Sequence, residues 1–129
     1  MANVLVIDDD RDSSEAVVRY LAKGGHAARA ATNGREALRA LVGAVPDVIV
    51  LDLLMPGMDG ITLLEVIRSY LRWTFVPVVI LTAYPEDPRL QSLAELGVSR
   101  VFAKARFDLA DLLAFVNTSA AAGRRGVAS

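Results

Sequence analysis

VLVIDDDRDSSE, residues 4–15, sets four consecutive apolar residues directly against Asp8, Asp9 and Asp10, with Asp12 close behind. A short apolar run without alternation suits a strand covered on both faces of a parallel sheet, where neither face meets water. Two further runs read the same way: Val48 to Leu51, closed by Asp52, and Val78 to Leu81, closed by Thr82. Between them the apolar residues fall at helical spacing: Ala16, Val17, Tyr20 and Leu21, then Ala37, Leu38 and Leu41, then Leu63, Leu64, Ile67 and Leu71. Gly24-Gly25 suits a helix C-terminus, Asn33-Gly34 a turn into the next helix, and Pro46 and Pro77 break what precedes two of the strands. A weaker strand near Ala27 to Ala31, a helix near Arg89 to Leu96 closed by Gly97, a strand near Arg100 to Ala103 and a helix near Leu109 to Val116 complete five β/α units. Such alternation predicts an α/β fold, a parallel sheet with helices on both faces and ligands bound outside the carboxyl ends of the strands.

The 129 residues are enough for one good core and too few for two ordinary domains. Residues 118–129, TSAAAGRRGVAS, have no apolar periodicity and read as a flexible tail or linker stub, leaving residues 1–117 as the domain. Fourteen basic against fifteen acidic side chains give a net charge of −1, with no basic patch to draw nucleic acid or an anionic membrane. There is no cysteine, which fits a reducing compartment, and the expected location is the cytoplasm. The first apolar run, Val4 to Ile7, ends in acid instead of continuing as a signal sequence, and nothing approaches the length of a membrane span.

In this fold Asp8, Asp9, Asp10 and Asp52 come to one rim. Carboxylates brought together in a partly buried site raise one another's pKa and cost stability unless a cation neutralises them. Hard oxygen ligands without Cys or His suit Mg²⁺. Asp10 and Asp12 read instead as capping or first-turn residues of the following helix. A calcium loop starting at Asp8 fails, because its sixth position is Ser13 and its twelfth Arg19. Thr82 and Lys104 would each be unremarkable alone, a β-branched strand residue and a surface lysine. Their place at the carboxyl ends of the fourth and fifth strands puts a hydroxyl and an ammonium beside the acids. Metal, carboxylate, hydroxyl and ammonium together suit phosphoryl transfer to an aspartate, which needs positioning and cationic stabilisation of the phosphoryl oxygens.

VIDDD at 6–10, PDVIVLDLLMPGMDG at 46–60, VVILTA at 78–83 and Lys104 after the fifth strand make the chain resemble the receiver domain of bacterial two-component response regulators, over residues 3 to about 117. The resemblance implies a flavodoxin-like, doubly wound five-stranded sheet of order 2-1-3-4-5. It implies Asp52 as phosphoacceptor, Mg²⁺ held by Asp8, Asp9, Asp52 and the backbone carbonyl of Leu54, and Thr82 and Lys104 on the phosphoryl oxygens. The donor would be a histidine kinase or histidine phosphotransfer protein, and the output phosphorylation-dependent protein contacts, including a homodimer through the last two helices and fifth strand, with no direct nucleic-acid or membrane binding. The chain would be no enzyme beyond supporting its own phosphotransfer and autodephosphorylation.

Two positions depart from the family. Ala105 stands after Lys104 where the family usually has a cis-bonded Pro; a non-proline cis bond costs about 2.5–4 kcal/mol, so a trans bond is expected. Val101 occupies the position of the family's aromatic switch, while Phe102 falls on the opposite-facing one. Leu54 and Tyr84, bulky where the family tunes water access, imply slow loss of the phosphoryl group. His26 reads as an ordinary surface residue, Trp73 and Phe75 as core plugs, and Phe115 as partly exposed. Two other classes compete: a phosphate-independent interaction module on the same fold, which Val101 and Ala105 favour, and a Mg²⁺-dependent aspartyl-phosphate phosphohydrolase using Asp8 and Asp10, which Asp12 disfavours where a Thr belongs.

Overall fold

The computed structural model describes residues 1–53, 59–104 and 106–128, the last nine as backbone. The elements run β1 (Asn3–Ile7), α1 (Arg11–Lys23), β2 (Ala27–Ala31), α2 (Gly34–Gly43), β3 (Val48–Asp52), α3 (Gly60–Ser69), β4 (Val78–Thr82), a 3-10 helix (Pro88–Leu96), β5 (Val98–Ala103) and α4 (Leu109–Ala128). All strand pairs are parallel and the sheet order is β2-β1-β3-β4-β5, the flavodoxin-like arrangement expected. Among the described residues no helix is long and apolar enough to cross a membrane.

The unbroken apolar runs are explained by two cores, one on each face. Leu5, Ile7, Ile49, Leu51, Val78 and Ile80 point to a core shared with α2, α3 and Trp73, whereas Val4, Val6, Val48, Val50, Val79 and Leu81 point to one shared with α1 and α4. Every second residue serves one core, so within the apolar runs Val4–Ile7, Val48–Leu51 and Val78–Leu81 no position is left for a polar side chain, and the polar Asp52 and Thr82 come only at the strand ends. The register pairs Ile7 with Leu51 and Asp52 with Leu81, so the three strands end at nearly one level.

The helices start at side-chain caps: Asp10 accepts from the Ser13 N–H, Asn33 from Glu36 and Asp59 from Thr62. Asp12 lies in the first turn of α1, as read. The predicted helix over Arg89–Leu96 is wound as a 3-10 helix from Pro88, capped by Asp87 and ended by Gly97 at φ 73°. That is longer than 3-10 segments usually run. Only Leu93 is fully buried along it, so packing does little to select the wider α winding. The last helix outruns its apolar stripe: Leu112 and Val116 are buried and Phe115 is half-buried, yet the backbone stays helical through Ala128.

Three side chains are not where the sequence suggested. Leu71, read on the apolar stripe of the third helix, lies beyond the end of α3 and is 88% exposed. His26 is buried, because the start of β2 lies under α4: its Nδ1 accepts the Ala2 N–H at 2.9 Å and its Nε2 meets Asn117 Oδ1 at 2.7 Å. Phe75 is 90% exposed; in the loop after α3, Trp73 and Val76 take the core positions and turn Phe75 out.

Candidate functional site

Four strand ends build the rim. Asp52 and Thr82 are the last residues of β3 and β4, Asp8 follows β1, and Lys104 follows β5. Asp8, Asp52 and Thr82 are buried, and Asp9 is exposed at the edge. Carboxylate oxygens of Asp8, Asp9 and Asp52 lie within 4.8 Å of one another, close enough for one ion to meet all three. Leu54, whose carbonyl the sequence reading added to this set, lies outside the described residues, as does Ala105.

Lys104 Nζ lies between the two buried acids, 2.8 Å from Asp8 Oδ2 and 3.2 Å from Asp52 Oδ2. Burial works against the ammonium's charge, but the hydrogen bond to Asp8 and the charges of Asp52 and Asp8 outweigh it and hold the Lys104 pKa above its ordinary value. The ammonium thus supplies part of the positive charge that the acid cluster requires.

Backbone contacts fix these side chains. Asp8 accepts the Asp10 N–H on Oδ1 at 2.9 Å, which leaves Oδ2 for Lys104. The Lys104 N–H donates to the Thr82 carbonyl at 2.7 Å, tying the end of β5 to the end of β4. The Thr82 hydroxyl oxygen accepts the Tyr84 N–H at 3.0 Å. Behind Asp52, the Gly60 N–H donates to the Leu53 carbonyl at 2.7 Å, and a Cβ on Gly60 would come within 2.6 Å of the Asp52 carbonyl oxygen and of Leu53 Cα. No other residue fits there without displacing the backbone that carries Asp52. The role of Gly60 was not legible beyond its place at a helix start, because the clash is with a segment that only the fold brings near.

Asp8, Asp9, Asp52, Thr82 and Lys104 therefore meet at one rim. Asp10 and Asp12 stand apart as cap and first-turn residues. Val101 on β5 is 40% exposed, while Phe102 is buried against Phe107, ring centroids 6.0 Å apart, with the Arg100 guanidinium 4.7 Å from its ring centre.

A family model, that of the response regulator receiver domain, matches residues 4–117. The chain belongs to this family. The receiver is 36% identical over 113 residues to the DNA-binding transcriptional regulator NtrC of Escherichia coli, a match covering 88% of this chain and 24% of that protein. It thus spans about a quarter of the length of that relative. Among solved structures it superposes on the chemotaxis protein CheY4 of Vibrio cholerae with TM-score 0.84 at 29% identity, covering 92% of this chain and 98% of the other. The Francisella response regulator 1452 receiver domain gives TM-score 0.82 at 30% identity, covering 92% and 96%. The chain is a two-component signalling domain, not an enzyme of the usual kind.

Proposed function

We propose that this receiver is a phosphoacceptor switch in which Asp52 takes the phosphoryl group. The observation that carries the reading is one ammonium, Lys104 Nζ, held between two buried carboxylates at a rim where a buried hydroxyl, Thr82, also ends its strand. An Asp52 carboxylate oxygen attacks phosphorus, the bond from phosphorus to the donor's imidazole nitrogen breaks, and that nitrogen keeps the electron pair and takes up a proton. Lys104 exchanges its contact with Asp52 for one with the incoming phosphoryl oxygens, and the Thr82 hydroxyl donates to another.

Three carboxylates this close, with no sulfur or imidazole among them, fit Mg²⁺. Asp8, Asp9 and Asp52 would hold it, together with the Leu54 carbonyl, and when bound it offsets the charge of the acids and of the phosphoryl group. The proposed donor is a histidine kinase or histidine phosphotransfer protein, the proposed location the cytoplasm, and the output phosphorylation-dependent protein contacts, among them a dimer through the 3-10 helix, β5 and α4. Residues 1–117 form the proposed domain and 118–129 the linker stub. Tyr84, a bulky residue two after Thr82 whose N–H reaches the Thr82 hydroxyl, is proposed to slow loss of the phosphoryl group, so Tyr84→Ala is expected to shorten the lifetime of the phosphorylated form.

The test is intact mass after incubation with Mg²⁺ and acetyl phosphate. One added phosphoryl group in the parent and none in Asp52→Asn supports the reading. No addition in either overturns it and favours a phosphate-independent interaction module, the reading to which the aliphatic Val101 and buried Phe102 lend support.

A further inference from the structure

The acidic rim lies at the carboxyl ends of the strands; the other end of the sheet carries most of the exposed apolar bulk. Leu71 is 88% and Phe75 90% exposed on the loop between α3 and β4, and Val42 and Val45 are exposed at the end of α2. The loop is not loosely displayed. Its Trp73 is buried, and Arg68 donates from Nη1 to the carbonyls of Trp73 and Thr74 at 3.0 and 2.9 Å. The Thr74 hydroxyl donates to the Tyr70 carbonyl at 2.8 Å. Two large apolar side chains held out by an ordered loop form a knob that loses little further backbone freedom on docking.

The same end of the fold holds a cavity of about 140 Å³ under the end of α2, lined by Asn3, Ala27, Arg29, Ala44 and Val45, mostly apolar in character. An apolar cavity of about 150 Å³ is enough to take up a benzene ring. Between Leu71 and Phe75 stands Arg72, exposed and with no partner among the described residues. Beside the cavity stands Asp47, exposed, with Oδ2 accepting the Asn3 N–H at 2.8 Å and its other oxygen without a donor among the described residues.

The geometry points to a second copy of this chain as the occupant: Phe75 of one copy enters the cavity under α2 of the other, Leu71 covers Val42 and Val45, and Arg72 pairs with Asp47. Knob and cavity belong to the same chain, so a two-fold axis makes the contact twice, once in each direction. This surface is at the opposite end of the strands from Asp52 and distinct from the proposed dimer face on β5 and α4. Its assembly is therefore independent of the phosphoryl reading.

The test is sedimentation velocity on the full chain across micromolar to millimolar concentration, in the parent and in Phe75→Ser, Arg72→Glu, Val101→Glu and Asp52→Asn. A reversible dimer is expected that Phe75→Ser weakens about 30-fold or more, as for a central apolar anchor. Arg72→Glu weakens it as well, whereas Val101→Glu and Asp52→Asn leave it unchanged. Because the chain has no cysteine, a mixture of Leu71→Cys and Val45→Cys copies is then expected to cross-link on oxidation. A parent that stays monomeric throughout overturns the inference, and so does a dimer indifferent to Phe75→Ser. Circular dichroism and melting of Phe75→Ser establish that its fold is intact.

Discussion

The two ends of the sheet solve opposite problems. At the carboxyl ends, buried like charges are gathered and only partly neutralised: Asp8 and Asp52 share one ammonium, and Asp9 stands beside them. At the amino ends, polar groups close the structure. Arg68 takes four carbonyls, those of Trp73, Thr74, Leu96 and Gly97, at 2.7 to 3.3 Å, and His26 joins the Ala2 backbone to α4. One end keeps electrostatic free energy that a ligand can release; the other has most of its polar groups hydrogen-bonded within the fold, Trp73 Nε1 being the buried side-chain nitrogen left without a partner among the described residues. Function and stability should therefore separate along the strand axis.

The largest expected effect breaks function alone. Asp52→Asn abolishes phosphoryl uptake, measured by intact mass, and does not lower the melting temperature, since it removes a like charge from Asp8 while Lys104 keeps Asp8 as its partner. Next comes Arg68→Met at the other end. Its guanidinium is partly buried, which lowers its pKa below the ordinary arginine value, and it makes four hydrogen bonds to carbonyls. Losing them is expected to cost about 2–3 kcal/mol in urea unfolding, with phosphoryl uptake at Asp52 retained. If Arg68→Met abolished uptake while its fold stayed intact, the separation of the two ends would fail.

Lys104 sharpens the comparison because it belongs to both accounts. Lys104→Met leaves two buried carboxylates facing each other and is expected to lose about 1–3 kcal/mol, less than for a fully buried pair because the lysine side chain is partly exposed. Added Mg²⁺ should restore most of that stability in the variant, since it supplies the missing positive charge. The pH dependence has a definite sign. The Lys104 pKa lies above its ordinary value of 10.5, so its contribution is present in full below that pH and fades as pH rises through the higher folded value. The gap in stability between the parent and Lys104→Met should thus be constant from neutrality to about pH 10 and shrink above it. A gap that closed near neutral pH would mean that the ammonium is not the partner of these acids.

Three strand runs and the residues that close them, Asp8, Asp52 and Thr82, were legible from a short-range pattern, unbroken apolar runs followed at once by Asp or Thr, whereas the strand order came only with the resemblance to receiver domains. The five helices were legible as segments, but the winding at Pro88–Leu96 was not, since Leu90, Leu93 and Leu96 fall three residues apart, a spacing that suits a short stretch of either winding. His26, Phe75 and Gly60 were misread or under-read for one reason. Their surroundings come from elements distant in the chain: α4 over His26, Trp73 and the core competing with Phe75, and the end of β3 against Gly60. A sequence pattern reports which face of an element is apolar, not which of two neighbouring aromatics in a loop will claim the core.

Phe75 supplies the smallest stability effect and the finest test of this division. A side chain 90% exposed contributes little to folding, so Phe75→Ser is expected to leave unfolding free energy within about 0.5 kcal/mol of the parent. Trp73→Ser, two residues earlier and 4% exposed, should lose about 3–5 kcal/mol, because it empties part of the core between α3 and β4. The two aromatics lie in one loop and differ in which way the chain turns them. If both variants proved equally destabilised at a protein concentration where the parent is monomeric, Phe75 would belong to the fold. If only Trp73→Ser is destabilised, an apolar ring is held in water by a loop hydrogen-bonded to keep it there, and its use must lie in what it meets outside its own chain.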